Sequence, residues 1–295
     1  MTERKPLDSN AFALMVLLTA LWGVPPVIIK LTANDVTPLM QAGIRSIVAT
    51  ALVLAWAAHQ RISLWQRDGT LWAGIFAGLL FGGEFVFIYA GLEHTAASRM
   101  AVFIYLAPVL TALGLHWLVP GERLVPGQWA GVLLSFMGVV LAFWEGLDAR
   151  GDTWVGDLCG VIAACFWAAT TVLIRATSLA RATATKTLFY QLGVSALILP
   201  LASIAMGEKG VVALTPLALA SLAYQGVIVA FASYLAWFWL LTRYLAARLS
   251  VFSFLSPMFG VLAGVIVLGE PLRPLFAAAA AFVVAGIVLV NLRER

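Results

Sequence analysis

Charged side chains are scarce in this sequence. Lys and Arg number 18 and Asp and Glu number 14 among 295 residues, so charged residues make up 11%, against about 25% in soluble domains. Hydrophobic residues make up 62%, and the mean hydropathy is +0.98. A soluble fold of this length needs more polar surface, so the composition indicates an integral membrane protein. The small positive excess forms no Lys/Arg cluster, which argues against a nucleic-acid partner.

Cysteine and histidine are sparse as well. Cys159 and Cys165 lie six residues apart, which on a helix is a rotation of about 600° and turns them in different directions. They offer neither a disulfide framework nor a metal-ligand spacing. The apolar segments contain no Ser–His or His–Glu constellation, and no glycine loop follows the phosphate-binding pattern. The sequence therefore predicts no cofactor, no metal site and no enzymatic activity.

Ten apolar runs are long enough to cross a bilayer, which takes roughly 20 helical residues. The connections between them are short and leave no room for a separate soluble domain. We therefore predict an all-α integral membrane protein with ten transmembrane helices, embedded in the lipid bilayer as a monomer. The predicted spans cover residues 11–31, 37–58, 70–92, 96–118, 127–144, 155–176, 184–206, 214–241, 247–268 and 274–292.

The distribution of Lys and Arg predicts the orientation. With ten alternating spans, the connections on the side of the N-terminus carry twelve of these residues and those on the other side carry five, with Arg45 left inside the second span. Cytoplasmic loops are the ones enriched in Lys and Arg. We therefore expect a multi-pass protein of the cell's inner (cytoplasmic) membrane with both termini in the cytoplasm.

The chain contains an internal repeat. Four stations of the first half recur in the second half, in the same order and at nearly constant separation, which is a strong signal of duplication. They are Leu21–Lys30 and Phe166–Arg175 at an offset of 145, residues 96–109 and 245–258 at 149, Gly121–Pro126 and Gly269–Pro274 at 148, and Gly138 and Gly286 at 148.

Each repeat contains five spans, and this odd number has a structural consequence. The first helix of the second repeat starts on the opposite side of the membrane from the first helix of the chain, so the two halves are inverted. We place the first repeat at residues 1–146 and the second at residues 147–295. Inverted repeats are typical of secondary transporters, which bind their substrate near the membrane midplane between the two halves.

These stations resemble a known family. Trp22 and Trp167 lie in the leading spans, Pro108 and Pro257 lie halfway along the fourth and ninth spans, and a Gly-Glu pair precedes the last span of each repeat. The pattern covers residues 11–292 and is similar to the EamA type of the drug/metabolite transporter superfamily, in particular to bacterial aromatic amino acid exporters. The resemblance implies a ten-helix inner-membrane exporter of amino acids or similar metabolites.

The leading spans of the two repeats depart from each other. The first has Pro25-Pro26 where the sixth has Thr170-Thr171, so we expect the two helices to bend differently. Pro108 and Pro257 each free a carbonyl one turn back, near Ile104 and Ser253. We interpret the four prolines as gating residues, with a kink that merely improves packing as the alternative. The candidate gating residues are Pro25, Pro26, Pro108 and Pro257.

A central cavity would need polar groups and aromatic rings near the midplane. Indole N–H and phenol O–H groups at this depth should face protein or water, although helix packing alone remains an alternative for each ring. Glu84 and Arg45 lie well inside spans, where an ionisable residue is functional by default; a protonated, hydrogen-bonded Glu84 and a locally paired Arg45 are the alternatives. The candidate substrate-binding residues are Trp22, Arg45, Glu84, Tyr89, Tyr105, Trp167, Gln191, Tyr234, Trp237 and Phe254.

One acid, one base and several rings suit a zwitterion with an apolar side chain. The leading prediction is therefore an exporter of small amphipathic metabolites, most simply amino acids with aromatic or other apolar side chains, working by alternating access. Lipophilic cations are the alternative substrates, because Glu84 and the rings suit a cation as well. Phosphorylated substrates would need several buried cations, and a channel or an enzyme is less favoured. Protons are a candidate coupling ion, with Glu84 as their carrier. Uniport, without a coupling ion, is the alternative.

Two further glutamates belong to the repeat. Glu122 and Glu270 lie in the connections before the last span of each half. A carboxylate at a helix boundary can accept hydrogen bonds from free backbone N–H groups. We predict structural, helix-capping roles for both.

Overall fold

The computed structural model describes residues 7–147, 153–272 and 274–292. Within these residues the chain forms ten long helices, which confirms the predicted fold class. Eight are long and apolar enough to cross a membrane, while α5 and α10 are apolar but shorter, at 17 and 16 residues. The helices are α1 Ser9–Thr32, α2 Pro38–His59, α3 Leu71–Leu92, α4 Ala97–Leu118, α5 Pro126–Ala142, α6 Trp154–Ala176, α7 Ala184–Ala205, α8 Pro216–Arg243, α9 Ala246–Leu268 and α10 Phe276–Asn291.

Six of the basic residues counted for the orientation lie outside the described residues. They are Arg4, Lys5, Arg150, Arg273, Arg293 and Arg295. The side of the bundle on which α1 begins is called the near side below, and the opposite side the far side. Because successive helices run in opposite directions, α1, α3, α5, α7 and α9 end on the far side.

Short polar side chains cap the N-termini of several helices. Asp8 accepts a hydrogen bond from Ala11 N–H at 2.8 Å before α1, and Thr183 accepts one from Lys186 N–H at 3.2 Å before α7. Thr215 does the same for Ala218 N–H at 3.1 Å before α8. Such side chains satisfy N–H groups that have no partner inside the helix.

Small residues let repeat-related helices approach closely. Helix α5 packs along α10, and α2 packs along α7. A Cβ atom added to Gly138 would lie 2.7 Å from the carbonyl oxygen of Ala279, and one added to Gly131 would lie 2.7 Å from that of Gly286. Ser135 also donates a hydrogen bond to Val283 O at 3.2 Å. Small residues at helix interfaces are the usual means of association in membranes.

Several helices are interrupted near mid-membrane. Helix α1 breaks at Val24, immediately before Pro25 and Pro26, whereas α6 is continuous, which confirms that the two leading helices differ. Pro25 has no N–H for the carbonyl of Leu21 one turn back. Tyr224 of α8 donates its hydroxyl hydrogen to that carbonyl at 3.0 Å, so the freed acceptor is satisfied by a neighbouring helix, as membrane burial requires.

Helices α4, α8 and α9 are also irregular. The helical ladder of α4 stops at Ile104 and resumes at Ala107, next to Pro108. Helix α9 contains a 3₁₀ stretch at Val251–Phe254, just before Pro257. Helix α8 contains a π-helical stretch at Tyr224–Ser233, which no proline signals.

Candidate functional site

A cavity of ≈ 1040 Å³ lies at the centre of the bundle. It runs beside the interruptions of α1, α4 and α9, and it reaches the far ends of these helices and of α3. Residues from both repeats line it, which is where a transporter built of two repeats is expected to bind its substrate. Its volume is at the upper end of the range typical of small-molecule sites.

Most of the predicted substrate-binding residues meet in this cavity. The nine that line it are Trp22, Arg45, Glu84, Tyr89, Tyr105, Trp167, Gln191, Tyr234 and Trp237. Of the predicted gating residues, Pro25, Pro26 and Pro257 line it as well. The structure therefore brings together residues from eight helices, while their roles in binding and gating stay predictions.

Phe254 lies elsewhere, and so does the side chain of Pro108. Phe254 is fully buried in the packed core, with its ring centroid 6.4 Å from that of Phe136 in α5. The sequence repeat aligns Phe254 with Tyr105, which does line the cavity. The 3₁₀ stretch turns each residue further than an α-helix does, so Phe254 takes a different direction. The prediction that it contacts substrate is corrected accordingly.

An aromatic cluster forms one wall of the cavity. The ring of Trp22 lies 5.7 Å from that of Trp237 and 6.1 Å from that of Tyr234, both nearly edge to face. Trp22 Nε1 donates a hydrogen bond to Ser233 Oγ at 2.8 Å. Edge-to-face contacts are favourable arrangements of aromatic rings, so the wall is held in place by its own packing.

A second aromatic pair also lines the cavity. Tyr105 of α4 and Trp167 of α6 are 6.0 Å apart, at an angle of 64°. Trp22 and Trp167 are the repeat-related tryptophans of α1 and α6. Each aromatic group thus contains the repeat-related tryptophan of one half.

Two ionisable side chains are buried at the cavity. Glu84 is exposed to 7% and Arg45 to 4%. The guanidinium of Arg45 lies 4.2 Å from the centre of the Phe85 ring, a cation–π contact. No ion pair or hydrogen bond joins Glu84 to Arg45 in the described part of the chain.

Two donors at the site have no protein partner. Arg45 Nη2 and Gln191 Nε2 are buried, and neither has a hydrogen-bond acceptor among the described residues. A buried donor without an acceptor costs free energy, and such exceptions call for an explanation. Both atoms belong to residues that line the cavity, so a small movement of these side chains toward it would let a bound ligand supply the acceptors.

No metal centre is found in this region. The described residues contain no group of three or more His, Cys, Asp or Glu side chains placed to hold an ion. The candidate site is a cavity lined by polar and aromatic side chains.

Glu122 caps the start of α9 on the near side. Its Oε1 accepts a hydrogen bond from Ala246 N–H and its Oε2 accepts one from Ala247 N–H, both at 3.1 Å. Arg175 of α6 donates to the same carboxylate, from Nε at 2.9 Å and from Nη2. The predicted capping role of Glu122 is confirmed, whereas the buried partner Arg175 was not expected because 53 residues separate the two in sequence.

Glu270 behaves differently on the far side. Its Oε1 accepts a hydrogen bond from Lys30 Nζ at 2.9 Å, and both side chains line the cavity mouth. Among the described residues it accepts no hydrogen bond from the start of a helix, so its predicted capping role is not observed in this conformation. Its carboxylate instead lies over Gly264 of its own helix, where an added Cβ would be 2.6 Å from Glu270 Oε2.

Polar residues that were not among the predicted substrate-binding residues also line the site. They include Thr170 and Thr171 of α6, and Ser253 and Ser256 of α9. Each lies within a few residues of a predicted site residue or helix break. Small hydroxyl side chains are common in apolar helices, so sequence alone gives them no distinguishing signal.

Comparison with known proteins gives a consistent result. The sequence profile described as the EamA-like transporter family matches residues 10–144 and 154–292. An "Uncharacterized transporter" of Archaeoglobus fulgidus is 28% identical over 294 residues, which cover 98% of this chain and 99% of that protein. A "Probable amino-acid metabolite efflux pump" of Salmonella typhimurium is 23% identical over 286 residues, covering 94% and 93%.

A solved structure shares the fold. It is a crystal structure of a protein with 22% sequence identity and a TM-score of 0.79, and the match covers 96% of this chain and 98% of that one. At this identity the likeness concerns the architecture alone.

Proposed function

Because the chain belongs to the EamA-like transporter family, we propose that it exports amino acids with aromatic or other apolar side chains. The proposed direction is out of the cell across the cytoplasmic membrane, with both termini in the cytoplasm. In that orientation the cavity described above opens to the outside. Transport proceeds by alternating access around the central cavity.

The observation that carries this proposal is the set of charges in the cavity. Arg45 Nη2 and Gln191 Nε2 are donors without an acceptor among the described residues, and Glu84 is a buried acid at the same cavity. A substrate carboxylate would accept hydrogen bonds from Arg45 and Gln191. A substrate ammonium would donate to Glu84. A zwitterion thereby satisfies groups that the protein leaves unpaired.

The aromatic walls fit the rest of such a substrate. Trp22, Tyr234 and Trp237 form one wall, and Tyr105 and Trp167 form part of the other. A flat apolar side chain gains contact area between two such walls, and ring pairs add favourable edge-to-face geometry. The name of the Salmonella typhimurium relative, which mentions amino-acid metabolites, agrees with this substrate class.

A lipophilic cation is the second candidate substrate. Glu84 and the same aromatic walls would bind it by charge and by cation–π contacts. Arg45, at the same cavity, repels such a cation, which is why the zwitterion is preferred.

Counterflow in proteoliposomes tests the proposal. We expect saturable exchange of labelled phenylalanine, inhibited by tryptophan and tyrosine. Replacement of Arg45 by Gln should weaken phenylalanine binding by about 10- to 100-fold, the usual effect of losing a hydrogen bond to a charged group. The exposed Arg123, replaced by Gln, is the matched control and should leave flux unchanged.

Two results would contradict the proposal. Uptake of tetraphenylphosphonium without any amino acid flux would favour the lipophilic-cation alternative. Flux that rises linearly with substrate concentration would be that of a channel instead of a carrier.

A further inference from the structure

Three groups at each end of the bundle are related by the internal repeat. On the near side they are Glu122, Arg175 and the first residues of α9. Their counterparts on the far side are Glu270, Lys30 and the first residues of α4, at offsets of 148, 145 and 149 residues. The chain thus carries two copies of one arrangement, one at each end of the central cavity.

The near-side copy is complete and buried. The carboxylate of Glu122 caps α9 through two backbone N–H groups and pairs with Arg175. The side chains of Arg175 and Glu122 are exposed to only 2% and 1%. The contact therefore joins the connection after α4, the end of α6 and the start of α9, and it closes this side of the bundle.

The far-side copy is incomplete. Lys30 and Glu270 are paired, but their side chains are exposed to 67% and 48%. The start of α4 has no side-chain cap in the described structure, and its first residues, Ala97 and Ser98, line the cavity mouth. The salt bridge has formed here without the cap that completes it on the near side.

We propose that Glu122 and Glu270 are alternating latches of the transport cycle. In the conformation described here, Glu122 holds the near side shut. When the near side opens, Glu270, still paired with Lys30, caps the start of α4 and closes the far side. The proposal rests on the alternating access proposed above and assigns positioning roles to both glutamates and both cations.

Physical chemistry favours such a device. A carboxylate at a helix start gains from the helix dipole and from charge-assisted hydrogen bonds. When the contact is buried, removing one charge leaves the other uncompensated. Each latch therefore stabilises one end state strongly, and because closing one end opens the other, the two latches oppose each other.

Distance measurements between spin labels test the latches without any substrate. Labels at Leu31 and His94 report on the far side, and labels at Ala176 and Arg243, their repeat counterparts at offsets of 145 and 149, report on the near side. All four positions are at the surface. The protein is measured in lipid nanodiscs after Cys159 and Cys165 have been replaced by Ala.

Matched substitutions should have opposite effects. Glu122→Gln should shift the ratio of near-side-open to far-side-open molecules at least about tenfold, lengthening the near-side distance and shortening the far-side one. Adding Glu270→Gln to that variant should reverse the shift. Glu93→Gln, which removes an exposed carboxylate at the cavity mouth, is the control and should leave both distances unchanged.

A purely structural role predicts a different outcome. Glu122→Gln would then lower thermal stability without moving the two distances in opposite directions, and Glu270→Gln would not reverse anything. Either result would overturn the latch proposal. If Glu122→Gln does not fold, the double variant Glu122→Gln/Arg175→Gln removes both buried charges and serves in its place.

The measurement also separates this proposal from the proposed substrate. Opposite distance changes without amino acid flux would support the latches and reject the substrate. Amino acid flux without opposite distance changes would support the substrate and reject the latches.

Discussion

Two repeat-related helix contacts differ sharply in this molecule. Helix α6 lies against α3, and its repeat counterpart α1 lies beside α8, the counterpart of α3. The contact of α3 with α6 is made at backbone level. A Cβ added to Gly83 would lie 2.7 Å from the ring of Phe166, and one added to Gly156 would lie 2.9 Å from the carbonyl oxygen of Gly91.

The contact of α1 with α8 is made by long side chains. Trp22 reaches Ser233, Tyr234 and Trp237, and Tyr224 reaches the carbonyl of Leu21. The glycines explain the contrast. In α3, Gly83 and Gly91 face α6, whereas Gly226, the one glycine of α8, packs against Val48 of α2. The repeat therefore sets which helices meet, while the presence or absence of glycine at the contact sets how closely they meet.

The largest effect is expected at Glu84, which α3 presents to the cavity. Glu84→Gln keeps the shape of the side chain and removes its titratable proton. Proton-driven flux should fall to background while exchange is partly retained, and both are measured in proteoliposomes with and without a pH gradient. Unchanged pH dependence would remove Glu84 from the coupling mechanism.

The next largest effect is expected from a substitution in the close contact between α3 and α6. Gly156→Leu places a side chain where the carbonyl oxygen of Gly91 and Thr95 leave no room. Overpacking of this kind costs about 1–3 kcal/mol, which a thermal melt in detergent should detect as a lower Tm. Gly193→Ala is the control, since its added Cβ would have no neighbour closer than 4.0 Å. Equal losses in both variants would show that this contact is not specially tight.

Substitutions of the repeat-related Trp22 and Trp167 test how much the α1–α8 contact depends on side-chain hydrogen bonding. Trp22→Phe keeps an aromatic ring and loses the hydrogen bond to Ser233, at a cost of about 1 kcal/mol. Trp167→Phe is the matched variant, because no hydrogen bond of the Trp167 indole is found among the described residues. A smaller loss of Tm is expected for Trp167→Phe, and the reverse order would show that the α1–α8 contact does not depend on this bond.

The smallest effect is expected at the near-side entrance to α3. Hydrogen bonds from the Thr70 hydroxyl and from Lys186 lower the pKa of Asp68 from 3.8 to about 2. A carboxylate whose pKa is lower in the folded than in the unfolded protein stabilises the fold at pH values above the unfolded pKa. This contribution is lost as the pH falls toward the folded pKa of about 2. Asp68→Asn should therefore be slightly less stable than the unsubstituted protein at pH 6 and equal to it near pH 2.

Unfolding of Asp68→Asn at both pH values provides the measurement. Asp68 is exposed, so solvent screening keeps the difference small. A variant that is destabilised equally at both values would show that the carboxylate charge is not what matters.

Much of this architecture follows from the sequence for physical reasons. A bilayer demands long apolar helices, so the ten helices appear as ten runs. Proline removes a backbone donor, so the breaks beside Pro25, Pro108 and Pro257 could be placed in advance. The cavity residues near the midplane can be predicted because indole, phenol and charged groups cost free energy when they face lipid.

Other features depend on tertiary context. The π-helical stretch Tyr224–Ser233 contains no proline to announce it. Phe254 takes its direction from a local 3₁₀ turn, which periodicity does not reveal. The pairing of Glu122 with Arg175 joins distant parts of the chain, and the open far side reflects the conformation adopted, which a repeat pattern does not specify.

The π-helical stretch of α8 has a consequence for how the duplicated halves have diverged. Helix α8 has 28 residues and α3 has 22, and the repeat offset grows from 145 at the first station to 149 at the second. A π-helix fits more residues into each turn than an α-helix. The wide turns of the π-helical stretch allow α8 to contain more residues than an α-helix of the same length. The two ends of α8 can therefore pack against the same neighbouring helices. The two halves thus differ in length in this region, while the offset stays at 148 or 149 at every later station.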